Sequence, residues 1–260
     1  MIKEVIVNLK MLILFISLLF TITAYASDKH IKLATLDWEP YVGQKMKNYG
    51  FTSEIIQKAF AKKGYTVEFI FYPWARGMAM TEQGKVHGIY PAYYSDERNK
   101  KFIVSDSFGS GGLGFYKRRE SNISFVADPV KEPEKVFQSL KQYRFGIVRG
   151  YAYTKEFDAA DDLIKDIVND DETNLKKLNK GRIDLAFIDK YVARYIMHRK
   201  YPHYMDELEF MTPALEEKKL YICFSRAIKG IEKIAKDFNE GIKQLKASGE
   251  WKQIMDSHGF

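Results

Sequence analysis

The sequence predicts an α/β fold, with a mostly parallel sheet flanked by helices. Two observations predict it. The stretch from Val67 to Arg98 reads strand, helix, strand and capped turn, which is the βαβ grammar of a parallel sheet. The same alternation returns between residues 135 and 199. In such sheets small ligands sit beyond the carboxyl ends of the strands. Trp74 and Arg98 each follow a strand end, so an aromatic face and a fixed cation are expected there.

The elements follow in order. Residues 31–36, IKLATL, form a first strand, and Asp37 to Tyr41 a loop at its carboxyl end. Phe51, Ile55, Ile56, Ala59 and Phe60 recur at helical spacing. Thr52 or Ser53 caps this helix and Gly64 ends it. The β-branched and aromatic run 67–71 reads as a buried strand. Pro73-Trp74 breaks it. Residues 75–83 are helical and stop at Gly84, a left-handed C-terminal cap. A second apolar run, 86–90, is the next strand. Ser95 caps a short helix with Asp96 and Glu97 in its first turn.

Four glycines in six residues, 109–114, are expected to form a bend or hinge. Beyond it, helices are expected over 135–143, 154–160, 172–179 and 191–199. Strands are expected over 144–148, 164–168 and 183–188. Turns fall at Arg149-Gly150-Tyr151 and Gly181. Residues 220–224 form a strand that returns to the first half. Helices over 231–246 and 250–256 close the chain.

The chain has 260 residues, enough for one large domain or two small lobes. Residues 1–26 read as a secretory signal peptide, with a weakly basic start, an apolar run over 11–22 and an Ala24-Tyr25-Ala26 cleavage site. The apolar run is shorter than the roughly 20 residues of a spanning helix. A soluble periplasmic protein, cleaved after Ala26, is expected. The single cysteine, Cys223, forms no internal disulfide and reads as a small core residue. The formal charge is +7, but the basic residues are scattered among acids, which is a solvated surface and not a nucleic-acid stripe. The five histidines show no metal spacing. No phosphate loop, Gly-x-Ser-x-Gly or paired cysteine motif is present. No cofactor and no nucleic-acid partner are expected.

Four segments together resemble the periplasmic solute-binding proteins of amino-acid ABC transporters, family 3, which have the type II periplasmic binding fold. Trp38-Glu39-Pro40-Tyr41 looks like the family's aromatic-x-Pro-aromatic loop. Pro73-Trp74, a helix and Gly84-Lys85-Val86 match the next motif. Ser95-Asp96-Glu97-Arg98 is similar to Thr-x-x-Arg, followed by Asp106 in place of the acid of Phe-Ser-Asp. Gly181-Arg182-Ile183-Asp184 through Asp189 matches the second lobe's Gly-Arg-x-Asp…Asp. The resemblance runs from about Ile31 to the C terminus.

It implies two lobes with a ligand cleft between them, lobe 1 from 28–112 plus 219–260 and lobe 2 from 113–218. Each lobe is then a mixed, mostly parallel sheet flanked by helices. It implies that Arg98 clamps a ligand carboxylate and that Asp189 accepts from an α-ammonium group. Trp38 and Trp74 would cover the ligand, with Tyr93 and Tyr151 beside them. The chain departs from the family at Tyr90-Pro91-Ala92-Tyr93-Tyr94 and at Gly150-Tyr151-Ala152, where small hydroxyl residues are usual. His87 stands where an acid is usual and reads as an internal histidine.

The implied function is to bind an amino acid or related zwitterion, as a monomer, and deliver it to an inner-membrane ABC permease. It is not an enzyme on this reading. An exported dehydratase-like enzyme on the same fold is the alternative, with Glu39 the loop acid beside the site. A ligand-sensing partner of a receptor is another.

Overall fold

The structure is a computed structural model and describes residues 29–258. The expected signal peptide lies outside the described residues. Within them, no helix is long and apolar enough to cross a membrane.

Ten strands form one mixed sheet. In chain order they are β1 His30–Thr35, β2 Thr66–Phe71, β3 Gly88–Tyr93, β4 Phe102–Val104 and β5 Gly109–Arg118, then β6 Arg144–Val148, β7 Ile164–Val168, β8 Leu185–Asp189, β9 Leu208–Phe210 and β10 Glu216–Ser225. Their order is β2-β1-β3-β10-β5-β8-β6-β7, with β4 on β10 and β9 on β5. Pairing is parallel on the flanks, β1 with β3 and β6 with β7 and β8. It is antiparallel through the centre, where β10 pairs with β3 and β5, and β5 with β8. The expected return of 220–224 to the first half is this β10–β3 ladder.

The helices are α1 Phe51–Ala61, α2 Trp74–Glu82, α3 Asp96–Lys101, α4 Pro133–Leu140, α5 Lys155–Ala159, α6 Asp171–Asn179, α7 Lys190–Lys200, α8 Tyr204–Glu207, α9 Ile231–Ala247 and α10 Glu250–Ser257. Ser95 caps α3 as expected, accepting from the Arg98 amide. Helix α1 buries Phe51, Ile55, Ile56, Ala59 and Phe60. It meets α9 at Gly241, where a β-carbon would lie 2.1 Å from the Ala59 carbonyl oxygen. Only glycine allows backbones that close.

Aromatic rings fill the core on both sides of the central strands. Phe60 packs on Phe238 with ring centroids 5.1 Å apart. Phe115 packs on Phe187 at 4.5 Å. Cys223 is buried in the core, as expected.

Four expectations need correction. Thr52 and Ser53 do not cap α1, which starts at Phe51 after Gly50 with no side-chain cap. Residues 109–114 do not form the expected bend but start β5. Two of their four glycines answer crowding: a β-carbon at Gly111 would fall 2.3 Å from Asp189 Oδ2, and one at Gly114 2.5 Å from the Phe210 ring. The strand at 67–71 is not buried; β2 ends the strand order, and its residues are half-buried or, at Thr66 and Glu68, exposed. Its aromatic side chains half-cover an edge. The strand expected at 86–90 is shifted to β3, continuing through Pro91 to Tyr93 with every residue buried. The missing N–H of Pro91 is tolerated within this strand. The short β4, β9 and α8 were not expected.

Candidate functional site

The loop after β1 is held by its own backbone. Trp38 N donates to the Val42 carbonyl and Tyr41 N to that of Trp38. The turn, with a cis Glu39–Pro40 bond, lays Trp38 flat on Tyr41, rings 4.6 Å apart and 24° from parallel. Trp38 also meets Tyr93 edge-on at 5.7 Å. Trp74 is the first residue of α2 and Tyr93 the last of β3. Tyr151 follows Gly150, whose φ of +76° makes the turn after β6.

These elements bring Trp38, Trp74, Tyr93, Arg98 and Tyr151 together around a cavity of about 20 Å³, with Leu36, Pro91 and Ala152 completing the wall. That is room for about one water. Arg98, Tyr151 and Ala152 also line a groove of about 1170 Å³. The small cavity is where the expected residues converge.

Arg98 is 6% exposed. Its Nη1 donates to the Tyr93 carbonyl at 2.6 Å and its Nη2 to the Gly150 carbonyl at 2.9 Å. The guanidinium stacks 5.2 Å from the Trp74 ring centre. Trp74 Nε1 donates to the same Gly150 carbonyl at 2.8 Å. Burial lowers the Arg98 pKa, although nearby anionic groups oppose it. Arginine stays charged through such a shift.

Asp189 is not in the cavity wall. It lies behind Tyr93, 2% exposed. Tyr93 donates its hydroxyl to Oδ2 at 2.8 Å, and Tyr41 donates at 3.1 and 3.2 Å to the two oxygens. Oδ1 also accepts from the Tyr191 and Val192 amides, capping α7. Burial pushes its pKa up to about 6 against the pull of these hydrogen bonds. Burial likewise raises the pKa of the Tyr41, Tyr93 and Tyr151 hydroxyls, and the carboxylates beside them add to it. Arg98 and Asp189 thus hold the two ends of one tyrosine, its carbonyl and its hydroxyl.

Sequence reasoning missed two residues. Tyr41 is fully buried beneath Trp38; as the second aromatic of its loop motif it carried a signal. Asp171 carried none, because Asp170-Asp171-Glu172 reads as the acidic first turn of a helix. Asp170 is indeed the cap, accepting from the Thr173 amide. Asp171 instead turns inward, 5% exposed. Its Oδ2 accepts from Trp38 Nε1 at 3.1 Å and from the Tyr151 hydroxyl at 3.2 Å. Burial pushes its pKa up to about 7.

Glu39 lines neither space. Its carboxyl folds back on Gly43, where an added β-carbon would meet Oε1 at 2.8 Å. His87 is internal in role, its Nδ1 accepting from the Lys32 amide.

No curated protein matches the sequence. Solved structures do. A substrate-binding protein of an amino-acid ABC transporter shares 19% identity, over 88% of this chain and 99% of that one, with a TM-score of 0.70. The GluR0 ligand-binding core from Nostoc punctiforme, in complex with L-glutamate, shares 16% over 88% and 99%, with a TM-score of 0.70. A histidine kinase sensor domain with similarity to periplasmic binding proteins shares 18% over 89% and 97%, with a TM-score of 0.72. Identities this low carry the fold and nothing finer. The model of the bacterial extracellular solute-binding proteins, family 3, matches residues 31–259, and the chain belongs to that family.

Proposed function

We propose that the protein binds a small zwitterionic solute, an amino acid or close relative, and hands it to an ABC permease. The observation that carries this is the convergence of Trp38, Trp74, Tyr93, Arg98 and Tyr151 on one small cavity. Aromatic faces cover the apolar or cationic part of a solute, and a guanidinium fork suits a carboxylate. Asp189 stands one tyrosine away and takes an ammonium group only where the Tyr41 or Tyr93 hydroxyl gives way.

The lobes in this reading are 28–112 plus 219–260 and 113–218. Both boundaries fall in one antiparallel ladder, where Gly111 pairs with Lys218 and Gly112 with Glu217. Hydrogen bonds from Arg98 and Trp74 to Gly150, and from Trp38 to Asp171, would cross between lobes. A cavity of about 20 Å³ has no room for an amino acid, so a solute enters as these bonds part. A solute that touches both lobes favours their closure.

The similar ABC transporter protein supports delivery to a permease. The similar sensor domain supports a second reading, ligand sensing for a receptor. Glu39, folded away from the cleft, weakens the dehydratase-like alternative. Export as a periplasmic monomer starting at Ser27 belongs to the same proposal. The intact mass of the exported protein checks that start.

Thermal-shift titration with amino acids, amines and organic acids tests the binding. A solute at 100 times its dissociation constant adds about 2.7 kcal/mol of stability. Arg98→Ala should weaken that solute by about 2–5 kcal/mol, having left its charge unpaired. If no solute shifts the wild type, the solute-binding reading fails.

A further inference from the structure

We propose that Asp171 is the specificity residue of the site, selecting solutes that carry a second, cationic group such as an amine or guanidinium. The proposal rests on the solute-binding reading. Asp171 is almost fully buried, yet among the described residues its Oδ1 has no hydrogen-bond partner. Its Oδ2 takes the Trp38 and Tyr151 donors, and both of those side chains line the cavity. The free oxygen therefore belongs to a carboxyl joined directly to two walls of the solute space.

Asp189 has no such spare capacity. Two tyrosine hydroxyls and two amides already occupy its oxygens. A solute ammonium reaches it only by displacing Tyr41 or Tyr93. At Asp171 a donor can be added with nothing displaced from Oδ1. One turn along α6, Asn174 is fully buried with both polar side-chain atoms also unpartnered. It is wedged against β6, where a β-carbon on Gly146 would lie 2.5 Å from Asn174 Oδ1. Buried polar groups of this kind are rare unless a partner is supplied.

The missing partner is a cation. The charged groups that bear most on Asp171 are Asp189 and Asp170, and both oppose its negative charge. Arg98 faces the Tyr93 and Gly150 carbonyls and, on the solute-binding reading, the solute carboxylate. An N–H-bearing cation on the solute offsets the carboxylate charge and fills Oδ1 in one step.

Calorimetric titration of the purified protein with L-arginine, L-lysine, L-glutamine and L-glutamate tests this. The cationic pair should bind tightest to the wild type. Asp171→Asn should weaken both by tenfold or more and change L-glutamine less than threefold. Asp171→Glu should keep the order of preference. Arg98→Ala should weaken every amino acid, and melting without solute checks that each variant is folded. A wild type that prefers L-glutamate or L-glutamine overturns the proposal and leaves solute binding standing. So does an Asp171→Asn variant that loses all solutes equally, or none. If none of the four binds the wild type, the proposal falls together with the amino-acid reading beneath it.

Discussion

Asp189 and Asp171 are both nearly fully buried aspartates at helix N-termini, and both take hydrogen bonds from aromatic side chains of the chain before β5. They differ in what is left over. Asp189 caps α7 and anchors Tyr41 and Tyr93, so its removal strands several donors. Asp171 leaves the capping of α6 to Asp170 and keeps one oxygen unpaired. The same residue type is a structural anchor in one place and a half-used group in the other. Hydrogen-bond capacity separates them, since burial does not.

The largest expected effect breaks that comparison directly. Asp189→Ala loses a helix cap, about 1 kcal/mol. It also leaves two buried hydroxyls unpaired, about 1–3 kcal/mol each. A total of about 3–7 kcal/mol should appear in the urea midpoint. Asp171→Asn should cost under about 1 kcal/mol, or stabilise, because a buried charge is removed. Equal losses in the two variants would erase the distinction.

The pH dependence sharpens it. Both carboxyls titrate higher in the folded state than the ordinary 3.8, Asp189 at about 6 and Asp171 at about 7. Below about pH 4 they are protonated folded or unfolded, and neither opposes folding. As pH rises toward 7 the unfolded chain ionises them freely while the fold must bury the charge. Each therefore lowers stability through that window, by at most about 1.4 kcal/mol per pH unit. Glu172 acts in a lower window: partial burial raises its pKa, but hydrogen bonds from Lys176, Lys200 and Tyr201 bring it down to about 2. Its stabilisation is lost as pH falls below about 4.5. Urea unfolding at pH 5 and pH 8 should show a shallower difference for Asp171→Asn than for the wild type. An unchanged difference would place the titration elsewhere.

Effects smaller than that of Asp189→Ala come from the β5 glycines. Gly111→Ala pushes a methyl group into Asp189 Oδ2 and the Tyr41 and Tyr93 hydroxyls, and should cost about 1–3 kcal/mol. Gly112→Ala meets nothing closer than 3.9 Å and should change stability by less than about 1 kcal/mol, with stabilisation the favoured sign. If hinge freedom were the reason for the glycines, the two variants would suffer alike. Thermal melting of the pair decides between freedom and space.

Much of the site was legible because its parts stand at strand ends. Trp38, Trp74, Arg98 and Tyr151 each fall within a few residues of one, and strand ends are readable from apolar runs punctuated by proline and glycine. Tyr93 was singled out although the strand was expected to stop three residues earlier. The glycine run was misread for a physical reason. Glycine permits both a bend and a close approach, and only the neighbours tell which applies. Those neighbours, Asp189 and Phe210, lie about 80 and 100 residues downstream of β5.

Local pattern by itself determined the alternation of strands and helices, the caps at Ser95 and Gly84, and the amphipathic faces of α1 and α9. These depend on contacts within a few residues, where spacing and side-chain shape are sufficient. Tertiary structure alone decided that Asp189 is saturated and Asp171 is not. It also decided that Arg98 reaches across to Gly150, and that five side chains from separate segments close on one small cavity. Those outcomes depend on which distant donors arrive at which oxygen. Sheet order and register set that, and no stretch of chain encodes them locally.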